Sequence, residues 1–408
     1  MYVRFVCGWT LFILLLNSCC VLARSRSQVF VKRHGPKRHP SVRHVTAQHA
    51  YEALAYRVYI QGQQAQPSGA RKDRDFLAHQ FEGAAKYFTS NLPANMCFVE
   101  PDLARRLNSA LCIQVGTELE SRLAARFRAV LSSFGEVICC DEKVFEFNSA
   151  KSGMLRVIPA KHQKGLWNYT MCVYLSCGLA YLIDTRCATE ISDLDEHVTM
   201  PAIIQHQIDI AQSKNVQRAH KSCMVWDSYY LTILCVQMLR EQRVPFVAPI
   251  NSQRFEPIVA LLTDHVQASG EMCFAVRQPD RAGDAKELAT CFYSPDSKKG
   301  KRFTLTSYLV QVDHKRRKGH IPGFDEYQSN FSGCDSFNRR LHDKSWPHHY
   351  GGKSYSVEVQ AGYDFLFTCA LVNVHHLWKE LSWNDRKIES FADFTAALAL
   401  ELLQLNYL

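Results

Sequence analysis

Apolar residues recur at three- and four-residue steps through DLARRLNSAL and LESRLAARFRAVLSSF, with arginines between them, which predicts a helical region over residues 76–132. Phe134-Gly135 breaks that period. EVICCDEKVFEF then starts as a continuous apolar run and ends in alternation, the pattern of a strand. MCVYLSCGLAYLIDTRC predicts a hairpin turning at Ser176-Cys177-Gly178. PAIIQHQIDIAQS reads as a helix, SCMVWD as a short buried strand, YYLTILCVQMLREQR as a helix and VPFVAPI as a strand. The order strand, hairpin, helix, strand, helix, strand calls for a mixed α/β sheet flanked by helices. Residues 255–320 read as a β-rich insertion, and the remainder as helical. YDFLFTCALVNVHHLWKEL is apolar nearly all round, so it is expected in a core; Asn373, His375 and His376 interrupt it too often for a membrane span. Residues 45–75 read as a short helix followed by a Gln/Pro/Gly linker, and no internal repeat is visible.

At 408 residues the chain is long enough for more than one structural unit, and 47% hydrophobic with 21% charged residues is ordinary for a globular protein. The net charge of +9 changes the picture by favouring an anionic partner. Lys298, Lys299, Lys301 and Arg302 precede the strand-like FTLTSYLVQV, and Lys315, Arg316, Arg317 and Lys318 follow it. These clusters are candidates to grip a nucleic-acid backbone, against the plainer reading of two solvated loops. The 16 cysteines include no CxxC and no Cys/His spacing that suggests zinc; Cys139, Cys140, Cys172, Cys235 and Cys369 lie in apolar runs and are expected as buried free thiols.

Residues 1–23 carry a positive start and a long apolar stretch, the pattern of a signal peptide or short membrane anchor. Residues 24–75 form a basic tail and linker, in which KRHGPKRH reads as a solvated tail, a nuclear signal or a DNA-binding arm. Asn168-Tyr169-Thr170 and Asn330-Phe331-Ser332 are glycosylation candidates if the chain enters the secretory path.

Three aspartates are the candidate chemistry. Asp141 and Asp227 each end an apolar run, and Asp335, in SGCDSFNRRL, reads as a helix start. A carboxylate held at the end of a strand is fixed by the sheet yet reachable, so three of them can converge on hard cations for phosphoryl transfer. The adjacent histidines His348-His349 and His375-His376 point to different helix faces and make poor chelators. There is no GxSxG, no phosphate-binding glycine loop and no Cys/His nucleophile pair.

Six segments, in order from about residue 130 to 405, resemble the piggyBac family of DNA transposases and their domesticated derivatives. They are ICCDEKVFEF, CMVWDSYYLTILCVQML, VPFVAPINSQRF, IPGFDEYQSNFSGCDSFNRRL, LFTCALVNVHHLWKE and ESFADFTAALALELL. The resemblance implies an RNase H-like core within a transposase domain at 133–408, after the helical region at 76–132. It implies two Mg²⁺ ions at Asp141, Asp227 and Asp335, with Asn338 standing where the family usually has a fourth Asp. It also implies DNA as partner, a nuclear location at odds with residues 1–23, and leaves a homodimer open; a membrane enters only if residues 1–23 act as an anchor. The family's cysteine-rich zinc-binding tail has no counterpart here, so no zinc is expected. Three readings of activity stay open: cut-and-paste strand cleavage and transfer, a domesticated inactive DNA-binding protein, and a secreted or tethered protein that keeps only the fold.

Overall fold

The computed structural model of the chain describes residues 47–63, 74–110, 117–131, 134–135, 137–146, 156–158, 163–187, 196–213, 222–250, 253–269, 273–277, 287–293, 301–306, 324–343, 356–381 and 390–405. The expected signal or anchor at 1–23, the basic stretch after it and His348-His349 lie outside the described residues. The chain forms two units, one drawn from Leu131–Lys143 and Asn168–Phe337, the other from Met1–Val130, Val144–Trp167 and Asn338–Leu408.

The first unit is built on a mixed sheet. Its strands are β1 (Val137–Glu146), β3 (Gln163–Tyr174), β4 (Ala180–Cys187), β5 (Cys223–Trp226), β6 (Phe246–Pro249), β7 (Cys273–Arg277), β8 (Glu287–Tyr293) and β9 (Lys301–Thr306). The spatial order is β4-β3-β1-β5-β6-β9-β8-β7. β5 runs parallel to both β1 and β6, whereas β3–β4, β6–β9, β9–β8 and β8–β7 are antiparallel. The unbroken apolar runs explain the centre: Ile138, Cys139 and Cys140 of β1 and all four residues of β5 are buried, as in parallel strands covered on both faces. Gly178 takes φ +78 in the β3–β4 turn, a left-handed conformation that glycine adopts at no steric cost. The stretch expected as an insertion opens with a helix, α7 (Glu256–Ser269), and its strands continue the sheet through β9 against β6.

Helices α5 (Glu196–Gln212) and α6 (Ile233–Glu241) follow β4 and β5. α5 is tied to β5 by the fully buried Trp226, whose Nε1–H donates to Gln207 Oε1 at 2.7 Å. α6 is capped by Thr232, whose hydroxyl accepts from the Cys235 N–H. Helix α8 (Phe324–Asp343) begins in this unit.

The second unit is mainly helical: α1 (Ala47–Gln63), α2 (Arg74–Asn91), α3 (Pro101–Ala110), α4 (Thr117–Val130), α9 (Ser356–Leu381) and α10 (Phe391–Leu405), with strand β2 (Arg156–Ile158) on the first part of β3. Of the helix and linker expected over 45–75, the helix is α1, longer than expected, and residues 64–73 lie outside the described residues. α1 is a 17-residue core helix, buried almost throughout from Glu52 to Gly62. Its polar residues are paired rather than solvated. Arg57 forms a buried ion pair with Asp364 and lies over the Tyr363 and Phe367 rings; Gln61 Nε2 donates to Thr368 Oγ1 at 2.7 Å. A Cβ on Gly62 would fall 1.5 Å from Thr395 Oγ1, so α1 and α10 touch closely there. α9 is buried on every side from Gly362 to Leu377, and no described helix is long and apolar enough to cross a membrane.

Candidate functional site

The parallel pairing of β1 with β5 sets the geometry. Cys140 is registered with Trp226, so the next residues, Asp141 and Asp227, leave neighbouring strands side by side, where strands lie about 4.8 Å apart. β1 continues past Asp141 to Glu146, as the strand pattern of EVICCDEKVFEF predicts, and what ends at Asp141 is the apolar run and the pairing with β5. Backbone N–H groups orient both carboxylates. Glu142 N–H donates to Asp141 Oδ1 at 2.8 Å, and Ser228 N–H donates to Asp227 Oδ1. Thr170 Oγ1 on β3 donates to the Asp141 carbonyl at 3.0 Å, fixing the backbone from the other side.

Asp335 lies in the middle of the 20-residue α8, not at a helix start. Gly333 is the reason the helix can approach the sheet. A Cβ there would meet Cys139 Sγ at 2.9 Å and the Tyr174 ring at 3.3 Å. The Cys334 thiol donates to the Cys139 carbonyl at 3.3 Å, and the Tyr174 and Ser332 hydroxyls are 2.9 Å apart. With Gly333 and Cys334 buried against the strands, Asp335 falls on the exposed side of α8, close enough for its charge to act on Asp141.

Asp141 is 7% exposed. Burial first, then the neighbouring Glu142 and more weakly Asp335, push its carboxyl up to about 8. The Glu142 N–H bond pulls the other way. An all-oxygen set crowded with like charge is what a hard divalent cation compensates, so the residues fit Mg²⁺ or Mn²⁺ in kind. They are not drawn closed: among the described residues no three His, Cys, Asp or Glu side chains are disposed to hold one ion. That also holds for His375 and His376, which are buried; the His375 ring lies 5.2 Å from both the Phe391 and Phe394 rings.

Asn338 follows Asp335 by one turn on α8, past the point where the helix leaves this unit. Of the expected DNA-contacting residues, Lys301 and Arg302 open β9 opposite Tyr293 and Phe292, whereas Lys298, Lys299, Lys315, Arg316, Arg317 and Lys318 lie outside the described residues. Asn168 is 0% exposed within β3, which leaves no room for a glycan on the first sequon; Asn330 lies within α8. Cys139, Cys140, Cys172, Cys235 and Cys369 are buried free thiols, as expected.

Tyr230 is the residue that the sequence reasoning passed over. It is wholly buried, its ring meets Tyr169 edge-on at 5.9 Å, and its hydroxyl has no hydrogen-bond partner. Burial and then the charges of Glu142 and Asp141 raise its phenol. The available signal was a tyrosine placed three residues after Asp227, at the end of the turn leaving β5.

The fold is similar to that of piggyBac transposase, seen in a cryo-EM structure of its synaptic complex with hairpin DNA. The TM-score is 0.66 at 12% sequence identity, covering 99% of this chain and 81% of that one. At that identity the likeness is one of fold, and it agrees with the piggyBac resemblance read in the sequence. No protein-family model matches the chain, and no curated protein does.

Proposed function

We propose that this is a transposase-derived DNA-binding protein whose sheet unit is an RNase H-like core with a divalent-metal site at Asp141, Asp227 and Asp335. The observation that carries the reading is the pairing of Cys140 with Trp226, which sets two aspartates side by side while α8 brings a third against the same strand. The strand order β4-β3-β1-β5-β6, with β1, β5 and β6 parallel, supports the RNase H-like assignment. The DNA in the piggyBac transposase complex supports DNA as the partner class. A bound divalent cation would supply Lewis-acid charge to a phosphoryl oxygen and make water or a hydroxyl a better nucleophile. The chain's part is to hold and aim the ligands: the Glu142 and Ser228 N–H groups each fix one carboxylate oxygen of Asp141 and Asp227. Lys301 and Arg302, with the other basic residues of 298–318, are the proposed phosphate contacts.

A domesticated protein that binds DNA without cutting it is the second reading. The open arrangement of the carboxylates and the uncharged Asn338 favour it. The two readings part on metal binding. Titration of the full chain with Mn²⁺ should show saturable binding that an Asp227→Asn variant loses by at least tenfold. Equal affinity in the variant would sink the metal site and leave the DNA-binding reading. Localisation of a carboxy-terminally tagged chain, with a glycosidase mobility test, separates a nuclear protein from a secreted one.

A further inference from the structure

Three thiols meet where α8 lies on the sheet: Cys139 of β1, Cys172 of β3 and Cys334 of α8, all buried and all in the sheet unit. Gly333 lets the helix backbone come this close, since a Cβ there would meet Cys139 Sγ at 2.9 Å. Cys334 fills the contact. Its thiol donates to the Cys139 carbonyl at 3.3 Å, and its sulfur lies 3.9 Å from the Thr170 carbonyl oxygen. β1 and β3 are neighbours, so a sulfur that reaches main-chain oxygens of both lies in the groove between them. There it is in hydrogen-bond contact with the Cys172 thiol. The two sulfurs are thus a side-chain rotation from bonding distance, without the backbone movement that a wider separation would need. The α8 residue that faces the Cys139 sulfur is Gly333, which has no thiol, and Cys140 points to the other face of the sheet.

We infer that Cys172 and Cys334 form a disulfide that staples α8 to β3 when the chain folds in an oxidising environment. The electron acceptor is a small disulfide such as oxidised glutathione. One protein thiolate attacks it, forming a mixed disulfide and releasing one glutathione; the second thiolate then attacks the bound protein sulfur and releases the other. Two protein thiols are oxidised, and their protons end on the two glutathiones. The exchange belongs to folding, before α8 closes over the sheet, because both sulfurs are buried afterwards. The bond closes a long loop and so removes freedom from the unfolded chain. It also pins the helix that carries Asp335, and it stands whether or not the carboxylates hold a metal.

The test is cell-free synthesis of the full chain, once in a glutathione redox buffer and once in dithiothreitol. Residual thiols are then alkylated, cross-linked peptides mapped by mass spectrometry and unfolding followed by heat. The expected product of the oxidising arm is a Cys172–Cys334 cross-link, with a Tm higher than in the reducing arm by on the order of 10 °C. Cys172→Ala and Cys334→Ala should each lose the cross-link and the gain in Tm. Cys235→Ala, which removes a buried thiol from α6, should keep both. A cross-link through Cys139 or a mixture of pairings overturns the inference. So does a Cys172–Cys334 bond that leaves Tm unchanged or lower, or an oxidising arm that yields no folded chain while the reducing arm does.

Discussion

Replacing Asp141 with Asn should stabilise the metal-free protein, and by an amount that grows with pH. The native carboxyl is raised from an ordinary 3.8 to about 8, with burial the main cause and Glu142 the next. Between those values the unfolded chain has lost the proton while the native chain keeps it. Native binds more protons than unfolded, so stability falls as pH rises through this window and levels off above about 8. At pH 7 the gap is about 3 units, and at about 1.4 kcal/mol per unit the cost is on the order of 4 kcal/mol. With Asp141 only 7% exposed, solvent screens little of this. Asn keeps an Oδ1 to accept the Glu142 N–H and has no charge to desolvate. Urea denaturation of both proteins in chelator, from pH 4.5 to 8.5, reads the difference directly. Glu401, raised to about 7 by burial, pulls stability the same way in both proteins and cancels in the subtraction. Parallel stability-against-pH curves for parent and variant would refute the reasoning.

Three other outcomes follow from particular contacts. Gly62→Ala should lower Tm although alanine is the better helix former, because the new Cβ meets Thr395 Oγ1 at 1.5 Å; overpacking of this kind costs about 1–3 kcal/mol, read by thermal unfolding. Asp364→Ala should cost about 3–5 kcal/mol in chemical denaturation by stranding the buried Arg57 guanidinium. Duplex DNA binding should weaken with rising salt, and neutralising Lys301 and Arg302 together should reduce the slope of log affinity against log salt by about 2; a slope that does not move removes β9 from the interface.

The strands bearing Asp141 and Asp227 were legible because VICC and CMVW are continuous apolar runs that only a doubly covered strand accommodates. The β3–β4 hairpin was legible from the glycine that turns it. Asp335 was misplaced for a related reason. Gly333 looks like a helix boundary, but it sits inside α8 because any larger residue would strike Cys139. α1 was undervalued because Glu52, Arg57 and Gln61 look like a solvated face when read locally. Their burial depends on partners such as Asp364 and Thr368, each 307 residues away, which no local periodicity reports. Tyr230 was hidden among aromatics, since the sequence does not tell a paired hydroxyl from an orphaned one.

The packing of α1 on α9 and α10 has a consequence for synthesis. Gln63 Nε2 donates to the Ala392 carbonyl, 329 positions further along the chain. At about 5–20 residues per second, a ribosome takes on the order of 15 seconds to a minute to supply that partner. Throughout that interval α1 has been made while α9 and α10 have not, although Tyr56 can already pack on Phe81 and Phe88 of α2. The sheet unit, complete at Phe337, can close before α9 and α10 emerge. The nascent chain therefore carries the side of α1 that meets α9 and α10 without its cover for most of its synthesis, so this unit closes last although it begins first.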